Sequence, residues 1–135
     1  MRTNFFLTTS ILLFVCSMHL VTFYEKQSFA ENRIKKPRTL YGIASYYADK
    51  FDGRETTNGE IYDHTKLSAA CNVLPLGTWI RVTNMSNNKS VVLHTNDRLN
   101  IRMKRLVDLS RRAAEILGYT KKGLTQVKVE ILTKE

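Results

Sequence analysis

The chain has 135 residues, 43% of them hydrophobic and 24% charged, and its 21 Lys and Arg against 12 Asp and Glu give a formal net charge of +9. Once an N-terminal export segment is set aside, about 105 residues remain, which is room for one compact domain and none for a second. The basic excess favours a polyanionic partner, but no basic helix, zinc-finger spacing or aromatic-and-basic sheet motif accompanies it, so an anionic wall polymer or membrane surface is expected and nucleic acid is not.

Arg2 precedes an apolar stretch, Phe5 to Phe23, and polar residues resume at Tyr24-Glu25-Lys26. This order reads as a secretory signal over residues 1–30, with Ser28-Phe29-Ala30 supplying small residues for cleavage after Ala30. The rival reading is an uncleaved membrane anchor. Lipidation of Cys16 is not expected, because bulky Phe14 and Val15 precede it. With Cys16 removed, Cys71 has no partner for an internal disulfide, and stability must come from packing. The first thirty residues carry Arg2, Lys26 and Glu25, so the mature part keeps +8.

Residues 31–39 read as a basic linker containing Pro37, and the domain is expected over residues 40–135. Tyr41 to Tyr47 reads as a first strand. Ala48 to Asp63 is a loop, with the turn-forming pairs Asp52-Gly53 and Asn58-Gly59. Leu67 to Cys71 is too short for its period to separate a strand from a helical turn. Thr78 to Thr83 alternates Ile80 and Val82 with Trp79 and Arg81 as a half-buried strand, Asn87-Asn88 tips a hairpin, and Ser90 to Thr95 returns as its partner. Ser110 is an N-cap for a helix over Arg111 to Leu117 that Gly118 stops. Gln126 to Leu132 alternates Val127, Val129 and Ile131 with polar residues as a last strand. Many short strands with one helix and no βαβ rhythm argue for an all-β barrel or sandwich.

Five ordered segments carry a resemblance: Gly42-Ile43-Ala44-Ser45-Tyr46-Tyr47; Thr57-Asn58-Gly59-Glu60-Ile61-Tyr62-Asp63; Leu74-Pro75-Leu76-Gly77-Thr78; Val82-Thr83-Asn84; and Asn96-Asp97-Arg98 followed by Val107-Asp108-Leu109-Ser110. Together they resemble the rare lipoprotein A (RlpA) family of peptidoglycan lytic transglycosylases. The resemblance implies a small six-stranded double-psi β-barrel with one short helix, related in fold to expansins and barwin-like domains. It also implies action on peptidoglycan glycan strands; the signal pattern places the expected location in the periplasm or cell envelope, cell-wall or division proteins are candidate further partners, and a monomer is expected.

Cleavage of a glycosidic bond needs a proton donor for the leaving oxygen and negative charge beside an oxocarbenium-like transition state, so carboxyl groups are the candidates. Glu60, Asp97 and Asp108 qualify. The family motifs point to Asp97 and Glu60, brought together at one rim of the barrel, as the catalytic pair, with Asp97 for acid/base work and Glu60 to position the sugar or stabilise charge. A carboxyl held partly out of water at such a rim is expected to keep a proton near neutral pH. Read as structural residues, Glu60 is a solvated turn acid, Asp97 a turn Asp or a partner for Arg98, and Asp108 a charge favouring the helix N-terminus or pairing with Arg111.

Two departures stand out. The family's Ala-Ala-His is here Ala69-Ala70-Cys71, and a neutral thiol cannot act as a cationic donor. The Gly-Pro usual after Asn-Asp-Arg is Leu99-Asn100. Cys71, Arg98, Asp108 and Tyr47 are therefore carried as supporting or substrate-binding residues. Tyr46, Tyr47, Tyr62 and Trp79 are candidates to stack on sugar rings or to pack the sheet. Arg102, Lys104, Arg105, Arg111 and Arg112 read as a solvated basic face. His64 and His94 lack metal-ligand spacing, and neither metal nor cofactor is expected. Two functions compete: a lytic transglycosylase leaving anhydro-ended products, and a non-catalytic glycan-binding module on the same barrel.

Overall fold

The computed structural model describes residues 38–132; residues 1–37, on which the expected signal and most of the expected linker fall, and residues 133–135 lie outside the described residues. Within that span the elements run β1 (Thr39–Tyr46), a 3₁₀ turn (Asp49–Phe51), β2 (Ser68–Cys71), β3 (Trp79–Asn84), β4 (Ser90–Asp97), β5 (Val107–Leu109), α1 (Arg111–Leu117) and β6 (Thr125–Ile131). β1 begins two residues earlier and ends one residue earlier than the Tyr41–Tyr47 strand read from the sequence.

The six strands close into a barrel in the order β1-β5-β2-β4-β3-β6. β1 pairs parallel with β5, and β2 parallel with β4, while the remaining pairs are antiparallel. Parallel neighbours cannot be joined by a tight hairpin, so the long connections after β1 and β4 must cross between strands. This is the all-β double-psi barrel that the resemblance implied.

β2 and β5 are the two strands the sequence did not assign. They have four and three residues, and every residue of β2 is buried, so no alternation betrays it. A strand covered on both faces reads as a plain apolar run. β3 and β4, by contrast, pair from Trp79 opposite His94 to Thr83 opposite Ser90, with Ile80, Val82, Val91 and Leu93 turned inward. Asn88 at the hairpin tip takes a φ of 60°, a left-handed conformation that asparagine tolerates.

The barrel interior is filled by Ala44, Ala69, Cys71, Leu74, Ile80, Val82, Leu93, Val107, Leu109, Val127 and Val129. α1 closes it by burying Ala113, Ala114 and Leu117, with the Ser110 side chain accepting from the Ala113 N–H and Gly118 ending the helix at a φ of 73°. Asn84, fully buried, donates through Nδ2 to the Leu117 carbonyl at 2.9 Å and accepts from the hydroxyls of Ser86 and Thr125. The Asn of the Val-Thr-Asn segment is thus a bolt between the helix end, the hairpin and β6. Gly42 is needed for close approach, since a Cβ there would stand 2.6 Å from Cβ of Leu106.

Candidate active site

The crossing connections leave a cavity of about 650 Å³ at one end of the barrel. Tyr46 and Tyr47 enter it from the end of β1, Lys50, Phe51 and Arg54 from the loop that follows, and Ala70 from β2. Asp97 ends β4, Arg98, Leu99 and Asn100 follow it, and Arg105 and Asp108 complete the wall around β5. Ala70 is paired with Asp97 on one side and Asp108 on the other, so a small residue separates the two carboxylates on neighbouring strands.

Asp97 is held from both sides. Its Oδ1 accepts from the Thr57 hydroxyl at 2.6 Å, the Thr57 N–H at 2.9 Å and the Arg98 N–H at 2.8 Å. Its Oδ2 accepts from the Tyr47 hydroxyl at 2.7 Å. Burial pushes this carboxyl up, but the bonds from Thr57, Tyr47 and Arg98 outweigh it and hold the group below its ordinary value. That corrects the expectation of a carboxyl that keeps its proton: the burial is present, but donors to the ionised form win. Tyr47 moves the other way, raised by burial and by its bond to Asp97, and stays a neutral donor.

Glu60 does not line the cavity. It lies half exposed on the outer side of the same loop, where Oε2 accepts from Asn96 Nδ2 at 2.8 Å and faces His94 Nε2 at 3.4 Å. Hydrogen bonds from Asn96 and Asn58 hold its carboxyl below the ordinary value, so it too favours the ionised form. The two motif acids are joined through one turn: Thr57 binds Asp97, the Asn58 N–H donates to the Asn96 carbonyl at 3.1 Å, and Glu60 binds the Asn96 side chain.

The supporting residues divide. Arg98 reaches the carbonyls of Cys71 and Leu74, the latter at 2.7 Å, and so ties the strand bearing Asp97 to the end of β2 rather than to the carboxylate beside it. The Cys71 side chain is fully buried in the core, away from the cavity lining, and only its carbonyl joins this network. Asp108 does not serve the helix or Arg111. It forms a two-pronged pair with Arg105, Nε to Oδ1 at 2.8 Å and Nη2 to Oδ2 at 2.9 Å, while Arg111 turns to Asp49. Asp108 points from β5 to the cavity side, and the helix N-terminus is satisfied by Ser110 instead. Arg105 and Arg111 therefore belong to ion pairs, not to a free basic face.

Among the aromatic candidates, Tyr46, Tyr47 and Tyr62 line the cavity, and Tyr47 lies against Tyr62 at a centroid distance of 4.4 Å. Trp79 is outside, on the outer face of β3. Sequence reasoning missed Phe51, which packs edge-on to Tyr47 and carries Lys50 and Arg54 over its ring at 5.4 and 5.3 Å. A Lys-Phe followed by Arg in a loop already bracketed by motifs was the available signal. Among the described residues, no group of three or more His, Cys, Asp and Glu could hold a metal ion.

A family model described as lytic transglycolase matches residues 39–129 of this chain. Curated relatives described as endolytic peptidoglycan transglycosylase RlpA are similar to it: that of Rickettsia bellii is 45% identical over 103 residues, covering 74% of this chain and 45% of that protein. That of Pseudomonas aeruginosa is 47% identical over 91 residues, covering 67% of this chain and 27% of that protein. The chain thus spans less than half the length of these relatives. Among solved structures, Streptomyces papain inhibitor superposes with a TM-score of 0.59 at 18% identity, covering 74% of this chain and 99% of that one. An expansin from Clavibacter michiganensis gives 0.59 at 16% identity, covering 73% of this chain and 52% of that one. At such identities these two speak for the barrel alone. The family match extends across nearly all of the described barrel, from β1 into β6, and on that ground this chain belongs to the lytic transglycolase family.

Proposed function

We propose that this chain is an exported lytic transglycosylase that cuts the glycan strands of peptidoglycan, in the periplasm or cell envelope, after cleavage behind Ala30. In this reading the C6 hydroxyl of a muramoyl sugar attacks C1 of the same sugar. The glycosidic C1–O bond breaks, a C1–O6 bond forms, the leaving oxygen gains a proton and O6 loses one, so no water enters the products. One carboxyl can serve both transfers, as acid and then as base.

The observation that carries the reading is the asymmetry of Asp97. Oδ1 is filled by three donors, whereas Oδ2 has the Tyr47 hydroxyl as its partner at the cavity. Oδ2 is therefore the atom with room to exchange a proton with substrate. In the free protein the carboxyl favours its ionised form; a glycan filling the cavity excludes water from Oδ2, and that desolvation favours the protonated acid. Tyr47, backed by the buried ring of Tyr62, and Phe51 offer aromatic surface to the sugars, and Lys50 and Arg54 offer positive charge to acidic groups of the wall polymer. Glu60, outside the cavity, acts as a positioning residue that keeps the Thr57 turn against Asp97.

The low-lying carboxyls of Asp97 and Glu60 favour a second reading, a barrel that binds glycan without cutting it. Incubation of the full chain with purified glycan strands, followed by mass spectrometry, separates the two. Anhydro-ended fragments are expected from the parent and not from Asp97→Asn; strands bound but never shortened would establish the binding module.

A further inference from the structure

We propose that Trp79, His94 and Glu60 form a second saccharide contact outside the cavity, which takes amino-sugar residues of the same glycan strand at a distance from the cleaved bond. The proposal rests on the glycan-strand reading for its ligand, but it makes no use of the chemistry at Asp97.

Trp79 and His94 are directly opposite each other on β3 and β4, with ring centroids 5.3 Å apart at 49°. Trp79 remains 43% exposed, so the imidazole covers only part of the indole. An exposed cross-strand aromatic pair could serve the sheet alone. Here, however, a half-exposed carboxylate stands beside it. Glu60 Oε2 faces His94 Nε2 at 3.4 Å and accepts from Asn96 Nδ2 at 2.8 Å, which aligns the carboxylate beside the ring pair.

Asn96 is nearly fully buried, and its Oδ1 has no hydrogen-bond partner among the described residues. Turning the amide over would set its oxygen against the Glu60 carboxylate, so the orientation is fixed and the unpaired oxygen is a standing cost. The arrangement aligns Glu60 next to an open indole. A pyranose ring matches such a surface, with an apolar C–H face for the indole and hydroxyl or acetamido N–H donors for the carboxylate.

Continuity with the cavity comes through the Thr57–Glu60 turn. One end of it holds Asp97 and the other holds Asn96, adjacent residues on opposite sides of β4. A polymer leaving the cavity near Asp97 crosses this turn to reach Trp79.

Trp79 is the single tryptophan of the chain, so its emission reports the site directly. Purified glycan strands are titrated into the full chain carrying Asp97→Asn, following tryptophan emission and, in parallel, binding by calorimetry. A saturable emission change at the calorimetric midpoint is expected, and Trp79→Ala should weaken binding roughly tenfold, equivalent to about 1.4 kcal/mol. If Trp79→Ala fails to fold, His94→Ala with Trp79 intact gives the same comparison. Strands that bind while emission stays fixed overturn the proposal, as does an absence of binding. Fragment release by the parent is scored separately: release without an emission change sinks the second contact alone, and an emission change without release sinks the catalytic reading alone.

Discussion

The Tyr47 hydroxyl donates to Asp97 Oδ2 at 2.7 Å, tying the end of β1 to the end of β4 across 50 residues of sequence. The bond does two things at once. It helps to hold the carboxyl ionised in the free protein, and it occupies the atom from which a proton would pass to a sugar.

Tyr47→Phe removes that donor and should raise the Asp97 carboxyl toward its ordinary value. A carboxyl depressed by folding contributes stability that is fully present above its unfolded pKa of about 3.9 and is lost as pH falls through the folded value. The variant should therefore be less stable than the parent at pH 7 by about 1–2 kcal/mol, near the low end for a bond to a partly exposed charge. The gap should narrow well below pH ~4. Urea unfolding of both proteins at the two pH values measures it, and an equal gap at both would show that the hydroxyl acts through packing instead.

Gly42→Ala tests the first motif. Its Cβ would meet Leu106 at 2.6 Å, at a side-chain atom fixed to the backbone, so the strand or the 98–106 connection must move. Overpacking of this kind costs about 1–3 kcal/mol. A urea midpoint unchanged from the parent would mean that Leu106 gives way freely.

Cys71 tests how the family histidine would fit this barrel. The thiol lies in the apolar core, so native protein should label slowly at Cys71 with a thiol reagent and quickly once unfolded, as peptide mass mapping would read. Placing an imidazole there buries a polar ring without a partner, at a cost of about 1–3 kcal/mol. Cys71→His should lose stability without gaining fragment release. Faster release from a stably folded variant would show that the side chain at this position reaches the cavity.

The parts of the fold that were legible in the sequence are those with local signatures. Ser110 and Gly118 bracket α1, alternation marks β3 and β6, and the hairpin turn marks β4 as the partner of β3. β2 and β5 were not legible, because β2 is buried along its whole length and the three residues of β5 are too few to establish a period. For the candidate site, the motifs pointed to Asp97, Glu60, Arg98 and Tyr47, but their roles depended on long-range contacts. Whether Arg98 meets Asp97 or the carbonyls of Cys71 and Leu74 is set by how the 98–106 connection crosses the barrel end. Asp108 was read against its neighbours in sequence, the helix and Arg111; its partner Arg105 comes from the preceding loop. The direction of the Asp97 pKa was misread for the same reason, since burial was foreseen from its position and the donors Thr57 and Tyr47 were not.

The most direct measurement is the rate at which anhydro-ended fragments leave purified glycan strands in the presence of the parent chain and of Asp97→Asn, with circular dichroism to show that both are folded. Loss of an acid/base group commonly costs about 10²–10⁴-fold in rate, and a fall of that size is the result expected for Asp97→Asn. Equal release from the two folded proteins would contradict the assignment of Asp97 as the group that carries the cleavage.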